Sequence, residues 1–445
     1  MTGGSFTKPK IRPGTYVNVK NGKAPSAANS PTGVVVIPLI DYDYGKRGEF
    51  IKLNANNLDI YPEIFGRSVY DDNVHMSYIR FAAMNAETLY VYICKGGTAA
   101  SVTFTFVDEG TSVTATAKYA GTRGNKLKFS FVANAVSGYD VEVTMDGSVV
   151  EKFEGITALT DIDSQYIGFT YTGTVTLAAL AAKSLTGGTD TAANNAVTDM
   201  LDACEKIKFN TLFFPSSDAG LQASCKSKIK YIRDTIGWKC QAVCVDYAAD
   251  YEAIINQTNA AIFEGSDLTK AQTAAWRAGL AASASYTKSN TYAVFAGATG
   301  IVGGGLTNEQ AEAAILAGKS FLSIYEDGKI VLEYDINSKV TFGTDDPVDI
   351  FKNRPLKVYD TLCNDILLTF TPNKFNNDSQ GWDAMEGLGR GMLQTYQADG
   401  AIQNVDTDSD FVVDRDRSTG DSVYITVAVQ PVDSAEKYYF TVIAK

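Results

Sequence analysis

The hydrophobic pattern of the chain changes at two glycine pairs, Gly96-Gly97 and Gly187-Gly188. Between them, apolar and polar side chains alternate with period two in several runs rich in Thr and Phe, such as Val102-Thr-Phe-Thr-Phe-Val107. This alternation, together with the turn dipeptide Asp146-Gly147, is typical of antiparallel strands joined by hairpins. We therefore expect residues 96–189 to form an antiparallel β-sandwich or barrel that is inserted into another domain.

On either side of this block, strand-like and helix-like segments alternate. A run of apolar residues begins at Gly33, and after residue 190 helical segments at 194–207, 218–236 and 270–286 alternate with the strand-like segments 211–214, 238–245 and 291–295. In the second of these helices, Leu221, Cys225, Ile229 and Ile232 recur at helical spacing and predict one buried stripe. Such alternation favours an α/β core with a largely parallel sheet, made of residues 31–95 and 190–345.

The last third of the chain mixes helices and strands. A helix opens at Thr307, with Gln310 at the capping-box position, and a hairpin over 321–334 turns at Asp327-Gly328. Beyond it the sequence predicts two helices, an acidic loop and two strands. The helices cover 346–370 and 378–399, the acidic loop covers 399–421, and the strands cover 423–429 and 438–443. We expect an α+β C-terminal domain over residues 346–445.

Each end of the chain carries a strand-like segment with no neighbouring mate. Tyr16, Val17 and Val19 stand in a polar leader, residues 1–30, and Tyr438–Ile443 closes the chain. An unpaired strand is an aggregation hazard unless it has a designated partner. Donation of each strand to an adjacent subunit is the simplest resolution.

Composition excludes several classes of function. The chain has 445 residues, a formal net charge of −12 and a pI near 4.8, and it shows no basic patch that would attract a nucleic acid. Its single histidine, His75, excludes sites that need two imidazoles. Hydrophobic residues at 45% and charged residues at 20% are typical of globular domains.

The cysteines and the leader give further expectations. The six cysteines form no CxxC pair, and Cys240 and Cys244 are interpreted as small buried hydrophobes of a chain that folds in a reducing compartment. Residues 1–10 lack the apolar core of a signal peptide, so we expect no secretion by that route. The uncharged stretch 289–308 contains too many glycine and polar residues for a membrane helix.

A search for catalytic motifs finds none. No GxSxG motif is present, and the acidic pairs Asp71-Asp72 and Asp345-Asp346 lie where acids cap helices and turns. Asp406, Asp408 and Asp410 resemble the start of an EF-hand, but Phe411 stands where the loop needs glycine, which leaves weak calcium binding as an open alternative. We predict a protein without enzymatic activity, metal or cofactor. The alternative is an α/β enzyme that has a carbohydrate-binding β-domain insertion and whose activity depends on one of the two acidic pairs.

Six segments are distinctive when taken in order along nearly the whole chain. They are Arg12–Val19, Gly33–Leu39, Leu306–Phe342 with Asp335-Ile-Asn337, Lys352–Leu356, Gly400–Val405 and Val427–Val432. Together they resemble the tail sheath proteins of contractile bacteriophages, and the resemblance is closest to sheaths of Gram-positive phages and of phage-tail-like bacteriocins.

This resemblance implies a subunit of hexameric rings, stacked helically around a tail tube, that contracts to drive the tube through the target envelope. It implies contacts with other sheath subunits, the tube protein, and baseplate and tail terminator proteins, without direct binding of nucleic acid or stable membrane insertion. The particle would be a virion tail or a phage-tail-like particle assembled in the cytoplasm of the bacterial host. The family's inserted β domain lies outside, which suits residues 96–189, and its C-terminal domain lies against the tube.

The resemblance also implies roles for particular residues. Tyr16, Val17 and Val19 would form one inter-subunit strand. Tyr439, Phe440, Val442 and Ile443 would form the other, and the acceptor sheet would include Val423, Ile425, Val427 and Val429. Asp383, Glu386 and Arg390, on the helix near 378–399, are candidates for tube contact. Gly387, Gly389 and Gly391 in that helix predict that it is broken or packs closely on a neighbour.

Overall fold

The computed structural model describes residues 27–107, 110–192, 194–344, 346–347 and 349–444. Within them the α-helices are Pro62–Phe65, Val74–Ala83, Asn194–Ala203, Ala219–Tyr231, Lys270–Ala282, Asn308–Leu316, Asn353–Thr369 and Ser379–Ala398. Short 3₁₀ turns lie at Thr122–Lys126, Leu159–Asp161 and Cys204–Lys206, and a π turn at Ile232–Ile236. The chain is thus a mixed α/β protein with several sheets.

The described residues form two compact units. One contains Asn364–Pro431 together with residues 27–30, and the other contains residues 31–363 and the tail from Val432. The helix Asn353–Thr369 therefore begins in one unit and ends in the other. These units are cut differently from the four domains expected from the sequence, and that finer division stays a prediction.

The larger unit is built on a seven-stranded sheet. Six strands run parallel, and Ile51–Asn54 is antiparallel at one edge. The strand order is Lys319–Ser320, Ile254–Gln257, Gln241–Val245, Thr211–Phe214, Val34–Ile40, Thr88–Cys94, Ile51–Asn54. Its central strands are continuous apolar runs, since a parallel sheet covered by helices is buried on both faces.

Residues 97–190 of the same unit form two antiparallel sheets of four strands each. The strands of one are Leu180–Ser184, Leu127–Ala133, Tyr139–Met145 and Ser148–Ile156; those of the other are Thr189–Asp190, Gly97–Phe104, Val113–Ala120 and Ile167–Tyr171. Phe129 of the first sheet contacts Phe104 and Phe169 of the second, with ring centroids 5.2 and 5.3 Å apart. The two sheets therefore face each other across an aromatic core, as the alternating pattern predicts.

The remaining strands of the larger unit are short. They are Ala261–Phe263, Ser266–Asp267, Ala298–Ile301, Leu322–Ile324 and Ile330–Leu332. The expected strand at 291–295 is wrong: Tyr292 has a φ of 61°, and the segment meets the hairpin only through a few bonds, such as Phe295 N–H to the Ile330 carbonyl at 2.8 Å. A left-handed residue interrupts the extended backbone that a strand needs.

The predicted buried stripe on the helix that begins at Ala219 is nearly right. Cys225, Ile229 and Ile232 are buried, whereas Leu221 is only half-buried and its neighbour Gln222 is buried instead. The Gln222 amide donates to the carbonyls of Val245, at 2.8 Å, and Ser216, at 3.0 Å. A polar side chain can lie inside because these hydrogen bonds satisfy it.

The smaller unit contains the helix Ser379–Ala398 and two two-stranded sheets. One sheet pairs Phe411–Val413 with Ile425–Val427, and the other pairs Ile402–Gln403 with Gln430–Pro431. The helix is unbroken although it contains four glycines, Gly381, Gly387, Gly389 and Gly391. Gly389 has a packing reason, since a Cβ at this position would overlap the Phe411 ring.

The cysteines are all free, and only Cys363 is exposed. Among the residues that the structure describes, no helix is both long enough and apolar enough to cross a bilayer.

Candidate assembly surfaces

The tail of the chain is apolar and exposed. Tyr439, Phe440, Val442 and Ile443 are 90, 86, 93 and 80% exposed, and Tyr438 is 69% exposed. The predicted strand at 438–443 is not formed here, and none of the described strands pairs with this segment. An extended segment gains strand geometry only when a neighbour accepts its backbone hydrogen bonds, so this tail has strand-forming side chains without a mate.

The root of the tail, by contrast, is held on its own unit by charge. Lys352, whose side chain is only 8% exposed, lies 2.5 Å from both Asp433 Oδ2 and Glu436 Oε2. Glu436 also accepts from Ser289 Oγ at 2.7 Å, and Arg354 donates to Ser434 Oγ at 2.9 Å. Burial lowers the pKa of Lys352, but hydrogen bonds to the two carboxylates outweigh it, and the pKa is raised overall. The tail is therefore anchored at its root and exposed beyond it.

A buried polar network includes Asn353, the residue that follows Lys352 in the sequence. Asp335 accepts from Arg277 at 2.5 Å and from Asn353 at 2.8 Å, and both members of the Arg277–Asp335 pair are at most 3% exposed. Asn337 donates to the Ile350 carbonyl at 2.7 Å. The segments around Asp335 and Lys352 thus serve structure, holding the end of the hairpin against the start of the helix Asn353–Thr369.

The candidate acceptor strand is shorter than expected and has one free edge. The Tyr424 carbonyl accepts from Asp414 N–H at 2.8 Å, and Ala428 N–H donates to the Asp410 carbonyl at 2.9 Å. The backbone groups of the even-numbered residues therefore point toward the partner strand Phe411–Val413. Val423, Ile425, Val427 and Val429 are all half-buried on one face, and their backbone groups point to the opposite edge. Among the described strands, none lies along that edge. The strand itself covers only Ile425–Val427.

The other edge of this sheet is covered at one point by a side chain. Glu386 accepts the backbone N–H of Val413 at 3.0 Å and lies 3.3 Å from both Arg390 and Arg415. Its side chain is 9% exposed. The Glu386 carboxylate is therefore bonded within its own unit. As a result the two edges of the sheet differ: the Phe411–Val413 edge is blocked at Val413, and the Ile425–Val427 edge is open among the described strands.

The other two candidates for tube contact lie on the same helix. Asp383 is exposed and pairs with Arg415 at 2.7 Å, and Arg390 is half-buried. The structure thus brings Asp383, Glu386 and Arg390 into one network through Arg415. Tyr16, Val17 and Val19 lie outside the described residues.

The sequence reasoning missed the tail anchor. Lys352 stands in a segment that carries the family resemblance, but nothing in its local pattern names Asp433 and Glu436 as partners about eighty positions later. The one local signal is that two acidic residues, Asp433 and Glu436, come shortly before the apolar tail.

Groups suited to catalysis do not converge in the described part of the chain. No three His, Cys, Asp or Glu side chains there are placed to hold a metal ion. His75 Nε2 lies 2.6 Å from the Ile40 carbonyl, and burial lowers the pKa of its imidazole. Asp71 and Asp72 are exposed, and Asp345 lies outside the described residues.

Comparison with known proteins decides between these interpretations. Residues 190–338 match the family model for the phage tail sheath protein central domain, and residues 345–445 match the phage tail sheath C-terminal domain. The phage-like element PBSX protein XkdK of Bacillus subtilis (strain 168) is 31% identical, over 99% of this chain and 99% of its own. The chain belongs to the phage tail sheath protein family. This membership indicates a structural component of a tail or tail-like particle.

Solved structures of sheath proteins share the fold. The sheath tail protein DSY3957 from Desulfitobacterium hafniense is 32% identical and superposes with a TM-score of 0.81, covering 96% of this chain and 99% of that one. The helical sheath of the anti-feeding prophage, solved in its contracted state, is 13% identical with a TM-score of 0.57, over 98% of this chain and 100% of its own. At that identity the likeness shows a common fold alone.

Proposed function

We propose that this chain is the repeating subunit of a contractile tail sheath. Hexameric rings of it stack helically around a tail tube, and contraction of the stack drives the tube through the envelope of a target bacterium. The proposal rests on two features of the same chain. Its tail is apolar and strand-forming but pairs with none of the described strands, and the edge of Ile425–Val427 has no neighbour among those strands. Each makes sense when a second copy of the chain supplies the missing partner.

In this proposal the subunits are linked by exchanged strands. Tyr439, Phe440, Val442 and Ile443 of the tail, and Tyr16, Val17 and Val19 of the leader, extend sheets in adjacent subunits. The half-buried row Val423, Ile425, Val427 and Val429 forms the acceptor. Each backbone hydrogen bond so formed contributes about 1 kcal/mol, and burial of the exposed side chains adds to it. Such links hold a lattice together while the angle between subunits changes.

The rest of the assembly follows the family. The sheets of residues 97–190 lie on the outer surface, and the smaller unit faces the tube. The helix Ser379–Ala398 contacts the tube protein through its exposed face, where Asp383 and Arg390 are available and Glu386 supports them from inside. Baseplate and terminator proteins bind the two ends of the sheath. The particle is a virion tail or a phage-tail-like particle that assembles in the host cytoplasm.

Negative-stain microscopy of the purified full-length chain tests this proposal. We expect tubular polymers from the natural sequence, and folded but short oligomers from chains lacking residues 1–20 or 438–445. A matched control replaces Val132, Val136 and Val149, exposed valines of the β insertion, with serine. The control should polymerise like the natural chain. Monomers at every concentration of the natural chain, or unchanged tubes from both truncated chains, would contradict the proposal.

A further inference from the structure

A cavity of about 740 Å³ opens beside the helix Val74–Ala83 in the larger unit. Its floor is apolar, since Phe81 and Leu268 lie there and are buried. Tyr70 and Met84 also line it, and they are 59 and 41% exposed. A concave surface with a buried apolar floor and large exposed apolar side chains is typical of a binding surface.

The rim of this cavity is acidic. Asp72, Glu264 and Asp267 line it, all three are exposed, and none has an ion-pair partner in the described part of the chain. Arg80 lines the cavity as well, but its guanidinium donates to two backbone carbonyls of the preceding loop, at 2.8 and 2.9 Å. The cavity therefore combines an apolar floor with negative charge at its rim, and we call it the acidic cavity.

The end of the helix Ala219–Tyr231 has the complementary character. Residues 226–239 contain five basic residues and one acidic residue, a net charge of +4 on a chain whose net charge is −12. Two of the five are paired with acids of their own unit. Lys230, by contrast, is exposed and has no ion-pair partner among the described residues, and Tyr231 and Ile236 are 43 and 38% exposed. Lys230, Tyr231 and Ile236 form what we call the basic helix end.

The helices that carry these two features lie on opposite faces of the seven-stranded sheet. On one face Tyr78, in the helix beside the cavity, contacts the ring of Phe213, with centroids 5.0 Å apart. The next residue of that strand, Phe214, points to the other face and is in register with Cys244. There Cys244 is hydrogen-bonded to Cys225 of the helix that carries the basic end. The acidic cavity and the basic helix end of one chain therefore cannot meet each other.

We propose that the basic helix end of one subunit docks into the acidic cavity of a second copy of this chain. Charge favours this occupant, because a chain of net charge −12 is repelled by an acidic rim except at its basic surfaces. Complementary surfaces on opposite faces make a head-to-tail contact, which closes into a ring or continues as a helix. A two-fold contact would instead use the same surface twice. The inference rests on the proposed function and adds to it a contact between α/β cores that needs no exchanged strand.

Charge reversal tests this docking in the full-length chain. Lys230→Glu should raise the critical concentration for tube formation about tenfold at low salt, and less at high salt, because salt screens exposed charges. Asp267→Lys should act in the same direction, and a chain with both changes should recover part of the loss. Asp234→Asn removes the acidic residue of 226–239 and should lower the critical concentration. Lys128→Glu is the matched control, since Lys128 is an exposed cation of the β insertion, and it should polymerise like the natural chain.

Disulfide trapping tests the head-to-tail geometry separately. In a Cys363→Ser background the five remaining cysteines are buried. Tubes of a chain with both Met84→Cys and Tyr231→Cys should give, on mild oxidation, a ladder of cross-linked oligomers that extends beyond dimers. Each single replacement should give no cross-link. Dimers from either single replacement would show a two-fold contact and overturn the inference.

Two further results would also overturn the inference. In one, the thiol introduced by Met84→Cys is protected from a maleimide in tubes but does not cross-link to Tyr231→Cys, so that something other than the basic helix end fills the cavity. In the other, the charge reversals leave the critical concentration unchanged. In both cases tubes still form, so the proposed function stands. Monomers of the natural chain at every concentration would contradict the proposed function and this docking together.

Discussion

Glu386 accepts the backbone N–H of Val413 at 3.0 Å and so covers one edge of the sheet formed by Phe411–Val413 and Ile425–Val427. A carboxylate bonded to a backbone amide at a strand edge occupies the position that a donated strand would otherwise take. The opposite edge, along Ile425–Val427, has no such cover among the described residues. Among the described residues, the sheet is therefore covered at Val413 and open along Ile425–Val427, the edge that the proposed strand exchange would use.

Replacement of Glu386 should both destabilise the smaller unit and open its second edge. We expect Glu386→Ala to lower the free energy of unfolding by about 2 kcal/mol, since a buried amide and two arginines lose their partner. Glu386→Gln keeps an acceptor oxygen and should cost less than half as much. Urea unfolding of the two variants measures the difference, and equal losses in both would show that the hydrogen bond to Val413 contributes little.

The anchor at Lys352 should control where the tail leaves the subunit. Lys352→Met leaves Asp433 and Glu436 without their cation, at a cost of about 2 kcal/mol in this partly buried site. A nitroxide on Ala435→Cys, in the Cys363→Ser background, should then become more mobile. Lys352→Arg retains the charge and should leave the label as immobile as in the natural chain. A label that is equally mobile in all three proteins would mean that the ion pairs do not hold the root.

Three of the four glycines in the helix Ser379–Ala398 should respond in opposite ways to alanine. In Gly389→Ala the new methyl group meets the Phe411 ring, and we expect a loss of about 1–3 kcal/mol from overpacking. A methyl group added at Gly387 or Gly391 would have nothing within 4 Å, so alanine should stabilise the helix there by up to about 1 kcal/mol. Thermal unfolding compares the three. Because Gly387 and Gly391 lie on the exposed face, tube binding by the stabilised variants also tests whether that face contacts the tube.

The local features of this chain could be predicted from sequence, and its long-range contacts could not. The capping box at Thr307 and Gln310 is confirmed, with reciprocal bonds of 3.3 and 3.0 Å, because both partners lie within one helical turn. Gly389 is different. From the sequence alone, this glycine only predicts a less stable helix. Its structural role is to leave room for the Phe411 ring, and Phe411 lies more than twenty positions later in the sequence.

The candidate site divides in the same way. The strand chemistry of the tail and of Val423–Val429 is visible as alternation, which is a local pattern. The absence of a formed strand at 438–443 is not visible in that pattern, since strand pairing depends on residues outside the segment. The contacts of Lys352 with Asp433 and Glu436, and of Glu386 with Val413, join residues that are far apart in sequence. No spacing rule specifies such pairs.

Acid should loosen the root of the β insertion, where Asp190 holds three segments together. Its carboxylate pairs with Arg47 at 2.7 Å and accepts from Thr122 Oγ1 at 2.6 Å, while Arg47 also donates to the carbonyls of Gly96 and Ala120. Burial raises the pKa of Asp190, but hydrogen bonds from Arg47 and Thr122 outweigh it and hold the pKa below its ordinary value of 3.8.

The sign of the pH effect follows from that direction. A carboxyl group whose pKa is lower in the folded state stabilises the fold above its unfolded pKa and loses this contribution as pH falls through the folded value. The natural chain should therefore lose the stabilising contribution of this group as pH falls below about 3.8. Asp190→Asn should be less stable than the natural chain at pH 7, and the gap should narrow between pH 4 and pH 2. Calorimetric unfolding across this range measures the gap, and a gap that stays constant would show that the ionised carboxylate contributes no stability through Arg47 and Thr122.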